Sequence, residues 1–375
     1  MKEITTTLTP IPFFNYAHFY QSQEQDLLDV FKDVGGRGAF ILQKDCTDFE
    51  KHLENYTGAK HALGVANGTD ALFIALKCAG VGPVDEVIFC SHTFVATASA
   101  IHFSGATPVP VECGSDHLID PNSVEMAITS KTKVIMPTQL NGRVANMDKL
   151  QDLAKKHHLI IIEDAAQGLG ARFKGKMAGT FGLAGTISFY PAKTLGCLGD
   201  GGAILTNDDS LYEDMKKMRD HGRDETGAIV SWGLNSRLDN LQAAFLDMQL
   251  GRFGKVVERR REMAMVYHRR LRHLKQLVLP CPPDDMSDHF EAYQNYEIRA
   301  INRDGLKVHL KNNGVGTLIQ WGGKAVHQIK ELGFSVSLPY TEHVFEECLL
   351  LPFNMSLRDA DIAYVCDVIA SFYGC

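Results

Sequence analysis

An α/β fold of two parts is the architecture this sequence predicts. A large doubly wound domain with a mostly parallel seven-stranded sheet spans residues 1–245, and a smaller C-terminal α+β domain spans 246–375. Three observations predict it. Short apolar runs alternate with helical patterns from about residue 61 to 206. One run, Leu159-Ile160-Ile161-Ile162-Glu163, is almost continuously apolar, as a parallel strand covered by helices on both faces must be. Beyond residue 245 the alternation gives way to a long arginine-rich helical stretch and then to Pro280, Pro282 and Pro283.

In chain order, Leu27, Leu28, Val30 and Phe31 give helical spacing over 22–33, and Gly35-Gly36-Arg37-Gly38 is read as its end. A second helix is expected over 44–56. His61 to Ala66 reads as a strand, Asn67-Gly68-Thr69-Asp70 as the turn after it, and Ala71 to Ala79 as a helix. Strand candidates follow at Val87–Cys90, Pro108–Val111, Lys133–Met136, Leu159–Glu163, Ala184–Phe189 and Gly202–Thr206. Helices at Val95–Ser104, 121–129 and Asp148–His157 separate them. Residues 240–276 read as one long helix crowded with Arg252, Lys255, Arg259, Arg260, Arg261, Arg269, Arg270 and Arg272. That crowding is either a solvated face or a patch that meets an anionic substrate. Tyr293–Arg299, Leu306–Asn312 and Asp359–Phe372 supply the elements of the small domain.

Composition narrows the function classes. At 375 residues, 45% hydrophobic and 22% charged, the chain can bury one large core and a second smaller one. A net charge of −7 is the wrong sign for a nucleic-acid binder. No run of about 18 apolar residues exists, so no membrane span is expected. Met1 to Asn15 holds one lysine and no long apolar stretch, and reads as no signal peptide. The nine cysteines are odd in number and free of CxxC pairs. That pattern argues against a disulfide framework and a zinc site, so no metal is expected, and it fits a reducing cytoplasm.

The chemistry centres on Ser188-Phe189-Tyr190-Pro191-Ala192-Lys193, between two apolar strand candidates. A lysine amine forms a Schiff base with an aldehyde, and a serine hydroxyl five residues before it can hold a phosphate. Pyridoxal phosphate carries both groups. Other stretches supply matching parts. Gly68 and Thr69, between a strand and a helix, offer free N–H groups to a phosphate, although an ordinary helix cap has the same pattern. Phe94 can stack on a ring. Asp164 follows a strand at the end where ligands of open parallel sheets sit, and can keep a pyridine nitrogen protonated; capping the next turn is the alternative. Gln167 can reach the ring hydroxyl.

The stretches Asn67-Gly68-Thr69-Asp70-Ala71-Leu72, Thr93-Phe94-Val95-Ala96-Thr97, Glu163-Asp164-Ala165-Ala166-Gln167, Ser188 to Lys193 and Gly201-Gly202-Ala203 follow in order, with His221-Gly222 and Asn235-Ser236-Arg237-Leu238-Asp239 after them. Throughout most of residues 10–245 the chain resembles the pyridoxal-phosphate-dependent sugar aminotransferases of the DegT/DnrJ/EryC1/StrS group, members of the aspartate-aminotransferase fold (type I). The resemblance implies that Lys193 is both covalent anchor and acid/base, with L-glutamate as amino donor. Pyridoxamine phosphate is implied between the two half-reactions, and a keto-sugar as acceptor. It also implies a homodimer with shared active sites, in which Asn235 completes the neighbour's phosphate cradle and Arg237 reaches the same site unless it is a surface residue.

On the substrate side the chain departs from the group. Gln320-Trp321-Gly322-Gly323-Lys324-Ala325-Val326-His327-Gln328 stands where a Tyr-Pro-x-Pro-Leu-His-like stretch is common, and Leu140-Asn141-Gly142-Arg143 replaces a more usual Leu-Tyr-Gly-Gln. Arg143 and Lys324 suit a carboxylate or phosphate on the substrate. Trp321 and His327 are either substrate contacts or packing. The expected acceptor is a nucleotide-linked keto-deoxysugar bound for bacterial surface polysaccharide. The alternative is an 8-keto-octulosonate, aminated to 8-amino-3,8-dideoxy-octulosonate for lipopolysaccharide. A non-catalytic regulatory protein on the same fold would have lost Asp164, Ser188 or Lys193, and all three are present. A nicotinamide dehydrogenase is not expected, since no GxGxxG follows the first strand.

Overall fold

The computed structural model describes residues 10–284 and 286–375. Met1 to Asn15, read above for a leader, therefore lies partly outside the described residues. Seven strands form the central sheet: β1 (His61–Val65), β2 (Glu86–Cys90), β3 (Thr107–Val111), β4 (Thr132–Met136), β5 (Ile160–Asp164), β6 (Ala184–Ser188) and β7 (Gly202–Thr206). Their order is β1-β7-β6-β5-β4-β2-β3. The run from β3 to β6 is parallel, whereas β7 pairs antiparallel with both β1 and β6.

Strand residues feed two separate cores by turns, which is what a doubly wound sheet requires. Ala62, Ile88, Cys90, Ile135 and Ile161 face one apolar cluster. Leu63, Val65, Val87, Phe89, Val134, Met136 and Ile162 face the other. A third cluster belongs to β8 (Leu277–Val278), β9 (Tyr296–Ala300) and β10 (Cys348–Leu351), an antiparallel sheet in the order β8-β9-β10, with helices Arg303–Asn312 and Asp359–Phe372. Tyr267 stacks on Tyr296 at 4.9 Å in its centre. Helix Phe253–Leu271 joins the two regions. Its Phe253 and Val257 pack in the large core, and its Met263, Ala264, Tyr267 and Leu271 pack in the small one.

Three elements differ from expectation. The first long helix runs Glu24–Arg37, straight through Gly35 and Gly36, and ends only at Gly38, whose φ of +62° is the left-handed cap conformation. Each internal glycine costs a helix about 1 kcal/mol, too little to stop one whose Leu27 and Val34 are buried. The single helix expected over 240–276 is two, Asn240–Leu250 and Phe253–Leu271, broken at Gly251-Arg252. Asp164 is the last residue of β5, its N–H donating to Pro137 O and its carbonyl accepting from Gln139 N.

Three arginines of the row pair with acidic side chains. Arg252 meets Asp26 at 2.6 Å, Arg259 meets Asp359 at 2.8 Å, and Arg270 meets Asp367 at 2.6 Å. Arg260 is buried and donates to the carbonyls of Tyr293 and Gln294. No helix among the described residues is long and apolar enough to cross a membrane.

Candidate active site

The carboxyl ends of the parallel strands open onto a cavity of about 770 Å³. Gly68, Thr69, Phe94, Thr138, Asp164, Gln167, Ser188, Tyr190, Lys193 and Trp321 are among the residues that line it. The fold brings all but Trp321 there because each follows, or ends, a strand of one sheet; Trp321 comes from the C-terminal region.

One wall is a helix start. Asn67 caps helix Gly68–Cys78, its side chain accepting from the Asp70 N–H at 2.8 Å. Among the described residues the N–H groups of Gly68 and Thr69 have no protein acceptor, as the first turn of a helix provides none. They suit an anion. Close approach from two sides depends on glycine. A Cβ at Gly68 would stand 2.9 Å from Ser188 Cβ, and one at Gly202 would stand 2.5 Å from the Asn67 carbonyl carbon. Ser188, at the end of β6, is thus pressed against the cap.

The opposite wall carries a buried carboxylate. Asp164 is 4% exposed and accepts from Thr97 Oγ1 at 2.6 Å and from the Ala166 N–H at 3.2 Å. Burial pushes its pKa above the ordinary carboxylate range, and these two donors and the charge of Lys193 pull against it. Thr97 is itself tied to Thr93, and Thr93 to Thr138, at 2.8 and 2.9 Å. This chain of hydroxyls fixes the carboxylate, and no sequence motif singled out Thr97 or Thr138 for that work. Phe94 stands just before helix Val95–Ser104, 53% exposed, and lines the cavity.

Lys193 lies in the turn after β6. Burial brings its amine down to about 8, against the opposing charge of Asp164. The turn is gripped from the small domain: Gln294 donates to Ala192 O and accepts from the Thr194 N–H, both at 2.8 Å. Gln294, like Thr138, is a site residue that no motif marks. Gln167 accepts from the Asn141 N–H at 2.9 Å through its carbonyl oxygen.

The remaining predicted residues are placed as follows. Trp321 lines the cavity. Arg143 is held by Glu291 beside a separate cavity. Arg237 pairs with Asp220 at 3.0 Å. Lys324 is exposed away from the wall. His327 is buried, joined to Ser91 Oγ at 2.7 Å and to Glu342 at 3.1 Å. Asn235 is exposed, outside its own chain's cavity, in the loop that follows the exposed Ile229, Val230 and Trp232.

Known proteins share this architecture. The crystal structure of S. venezuelae DesV in complex with ketimine intermediate superposes with a TM-score of 0.93 at 36% identity, covering 97% of this chain and 98% of that one. A pleiotropic regulatory protein of Geobacillus stearothermophilus is 39% identical across 97% of this chain and 98% of its own length. The UDP-2-acetamido-2-deoxy-3-oxo-D-glucuronate aminotransferase of Pseudomonas aeruginosa is 36% identical, with 94% and 97% covered. Sheet, cavity and likeness together define a pyridoxal-phosphate-dependent aminotransferase of fold type I. Residues 21–370 match the sequence profile of the DegT/DnrJ/EryC1/StrS aminotransferase family, and the chain belongs to that family.

Proposed function

We propose that this aminotransferase moves an amino group from L-glutamate to a nucleotide-linked keto-sugar, for bacterial surface polysaccharide. The supporting observation is one cavity that brings together an amine of lowered basicity, a buried carboxylate and a helix start suited to an anion. Bound there, pyridoxal phosphate supplies an aldehyde for the amine and a cationic ring that takes up an electron pair from the substrate carbon.

The chain's own groups do the rest. Lys193 would anchor the cofactor and, as the free amine, would move the proton at the substrate carbon. Asp164, held by Thr97 and Ala166, would keep the ring nitrogen protonated. Gln167 would serve the ring hydroxyl and Phe94 the ring face. Gly68, Thr69 and Ser188 would hold the phosphate, with Asn235 of a second copy completing that cradle in a homodimer. Trp321 is the substrate contact on the wall; Arg143, Arg237, Lys324 and His327 do not line this chain's own cavity. The free thiols of the described residues agree with a cytoplasmic setting. The P. aeruginosa relative, named for a UDP-linked 3-oxo sugar, supports the acceptor class.

Absorption spectroscopy tests this reading. The purified protein is expected to be yellow, to bleach with L-glutamate, and to recover its colour with UDP- or dTDP-linked keto-sugars. Lys193→Arg is expected to lose turnover by a factor of at least about 10³ while keeping its fold. Retained turnover in that variant would overturn the role of Lys193. Recovery with 8-keto-octulosonate alone would overturn the nucleotide-sugar assignment.

A further inference from the structure

Behind the cofactor cavity three side chains from separate elements meet: His92 after β2, His117 in the turn after β3, and Glu297 on β9. Their donor atoms all lie within 4.8 Å of one another. Glu297 Oε1 is 2.6 Å from His117 Nδ1 and 3.6 Å from His92 Nε2. The Glu297 and His117 side chains are 2% and 12% exposed, and His92 is fully buried.

An ion pair between His117 and Glu297 would account for two of the three. It leaves His92 poorly served: the Gln320 side chain and the His117 backbone lie beside its ring, but neither ring nitrogen makes a hydrogen bond of sound geometry. A buried polar group without a partner is costly, and such groups are rare in folded proteins. The cluster offers two imidazoles and a carboxyl group, each with one ligand atom turned to the others.

We propose that His92, His117 and Glu297 form a binding site for a divalent transition metal of the zinc class. Tetrahedral zinc, with bonds of about 2.0–2.1 Å, sets its ligand atoms roughly 3.3 Å apart. His92 and Glu297 already stand near that spacing, and a swing of His117 by about 1.5 Å brings it to that spacing as well. Imidazole donors select against magnesium and calcium, which take oxygen. A cavity of about 100 Å³, lined by His117 and Glu297 among others, leaves room for a water as the remaining ligand. The second oxygen of Glu297 accepts from Asn141 Nδ2 at 2.9 Å, the kind of outer support that metal carboxylates have.

The site is a buttress and not part of the reaction. Asn141, tied to Glu297, donates its N–H to Gln167 on the cavity wall, and the His92 ring meets Trp321 edge to face at 5.4 Å. Metal bound here fixes both from behind.

Zinc titration of the chelator-treated holoenzyme, read by calorimetry and by elemental analysis after dialysis, tests the proposal. One zinc per chain is expected. Glu297→Gln and His117→Ala are each expected to weaken binding at least tenfold, whereas His343→Ala, on a surface His-Glu cluster, leaves it unchanged. X-ray absorption of the zinc-loaded wild-type protein is expected to show two imidazoles, oxygen and no sulfur, a result independent of how the variants fold. Absent stoichiometric binding, binding indifferent to both substitutions, or a sulfur ligand would each overturn the site.

Discussion

At the scale of single residues, the decisive quantity is the basicity of Lys193. A group that binds its proton with a pKa of about 8 leaves about a tenth of the chains with a neutral amine at pH 7, against roughly one in three thousand for an ordinary lysine. Burial lowers the amine and the negative charge of Asp164 raises it, so the two effects separate by mutation. In the cofactor-free protein, modification of Lys193 by an amine-directed reagent, followed by mass spectrometry of its peptide, is expected to rise with pH through a midpoint near 8. Asp164→Asn removes the charge that favours the ammonium form, and the midpoint is expected to move lower. A midpoint that stays or rises would refute this account of the amine. Lys193 and Asp164 are readable in the sequence because each follows or ends an apolar run, where a parallel sheet puts its ligands. The hydroxyl chain Thr138–Thr93–Thr97 is not readable. A threonine becomes the partner of a carboxylate 67 positions away only when helix Val95–Ser104 packs beside β5. His327 shows the same limit from the other side: a histidine in a glycine-rich stretch looks available, yet Ser91 and Glu342 occupy it.

Elements carry a different kind of information, and the anion cradle shows how two of them share one space. Replacing Gly68 by alanine improves helix propensity by about 1 kcal/mol, but brings a Cβ within 2.9 Å of Ser188 Cβ. The clash falls on a short, unyielding side chain, so the end of β6 must retreat from the cap. The expected result is little change in melting temperature and a roughly tenfold loss of cofactor affinity, about 1.4 kcal/mol. Gly202→Ala sets its Cβ against the Asn67 backbone at 2.5 Å, where nothing can rotate away. That variant is expected to lose about 1–3 kcal/mol of stability, seen by denaturant unfolding, together with its affinity. Equal melting behaviour in the two variants would refute the distinction. Strand positions were legible here to within a residue or so, since apolar runs bounded by turns mark them. Directions were not: β7 runs antiparallel to both neighbours, and its run Gly202–Thr206 is as buried as that of a parallel strand. Helix ends proved hardest, because buried Leu27 and Val34 carry one helix across two glycines while Gly251-Arg252 breaks another.

At the scale of the whole molecule, helix Phe253–Leu271 is rooted in both cores, and Gln294 on the small-domain side grips the Lys193 turn. The small domain therefore sets the position of the amine as much as the sheet does. What one chain does not supply is Asn235 beside its own cavity. The loop before it exposes Ile229, Val230 and a Trp232 that is 95% uncovered, an apolar cluster that a second copy would bury. A two-tag experiment decides whether the cradle is completed in trans. Lys193→Ala is expected to be inactive, and Asn235→Asp, which sets a carboxylate against the phosphate, nearly so. A hybrid dimer purified through one tag on each variant holds one site with both defects and one with neither. It is expected to recover about half the activity of the wild-type dimer. If Asn235 served its own chain, both sites of the hybrid would be broken and no activity would return.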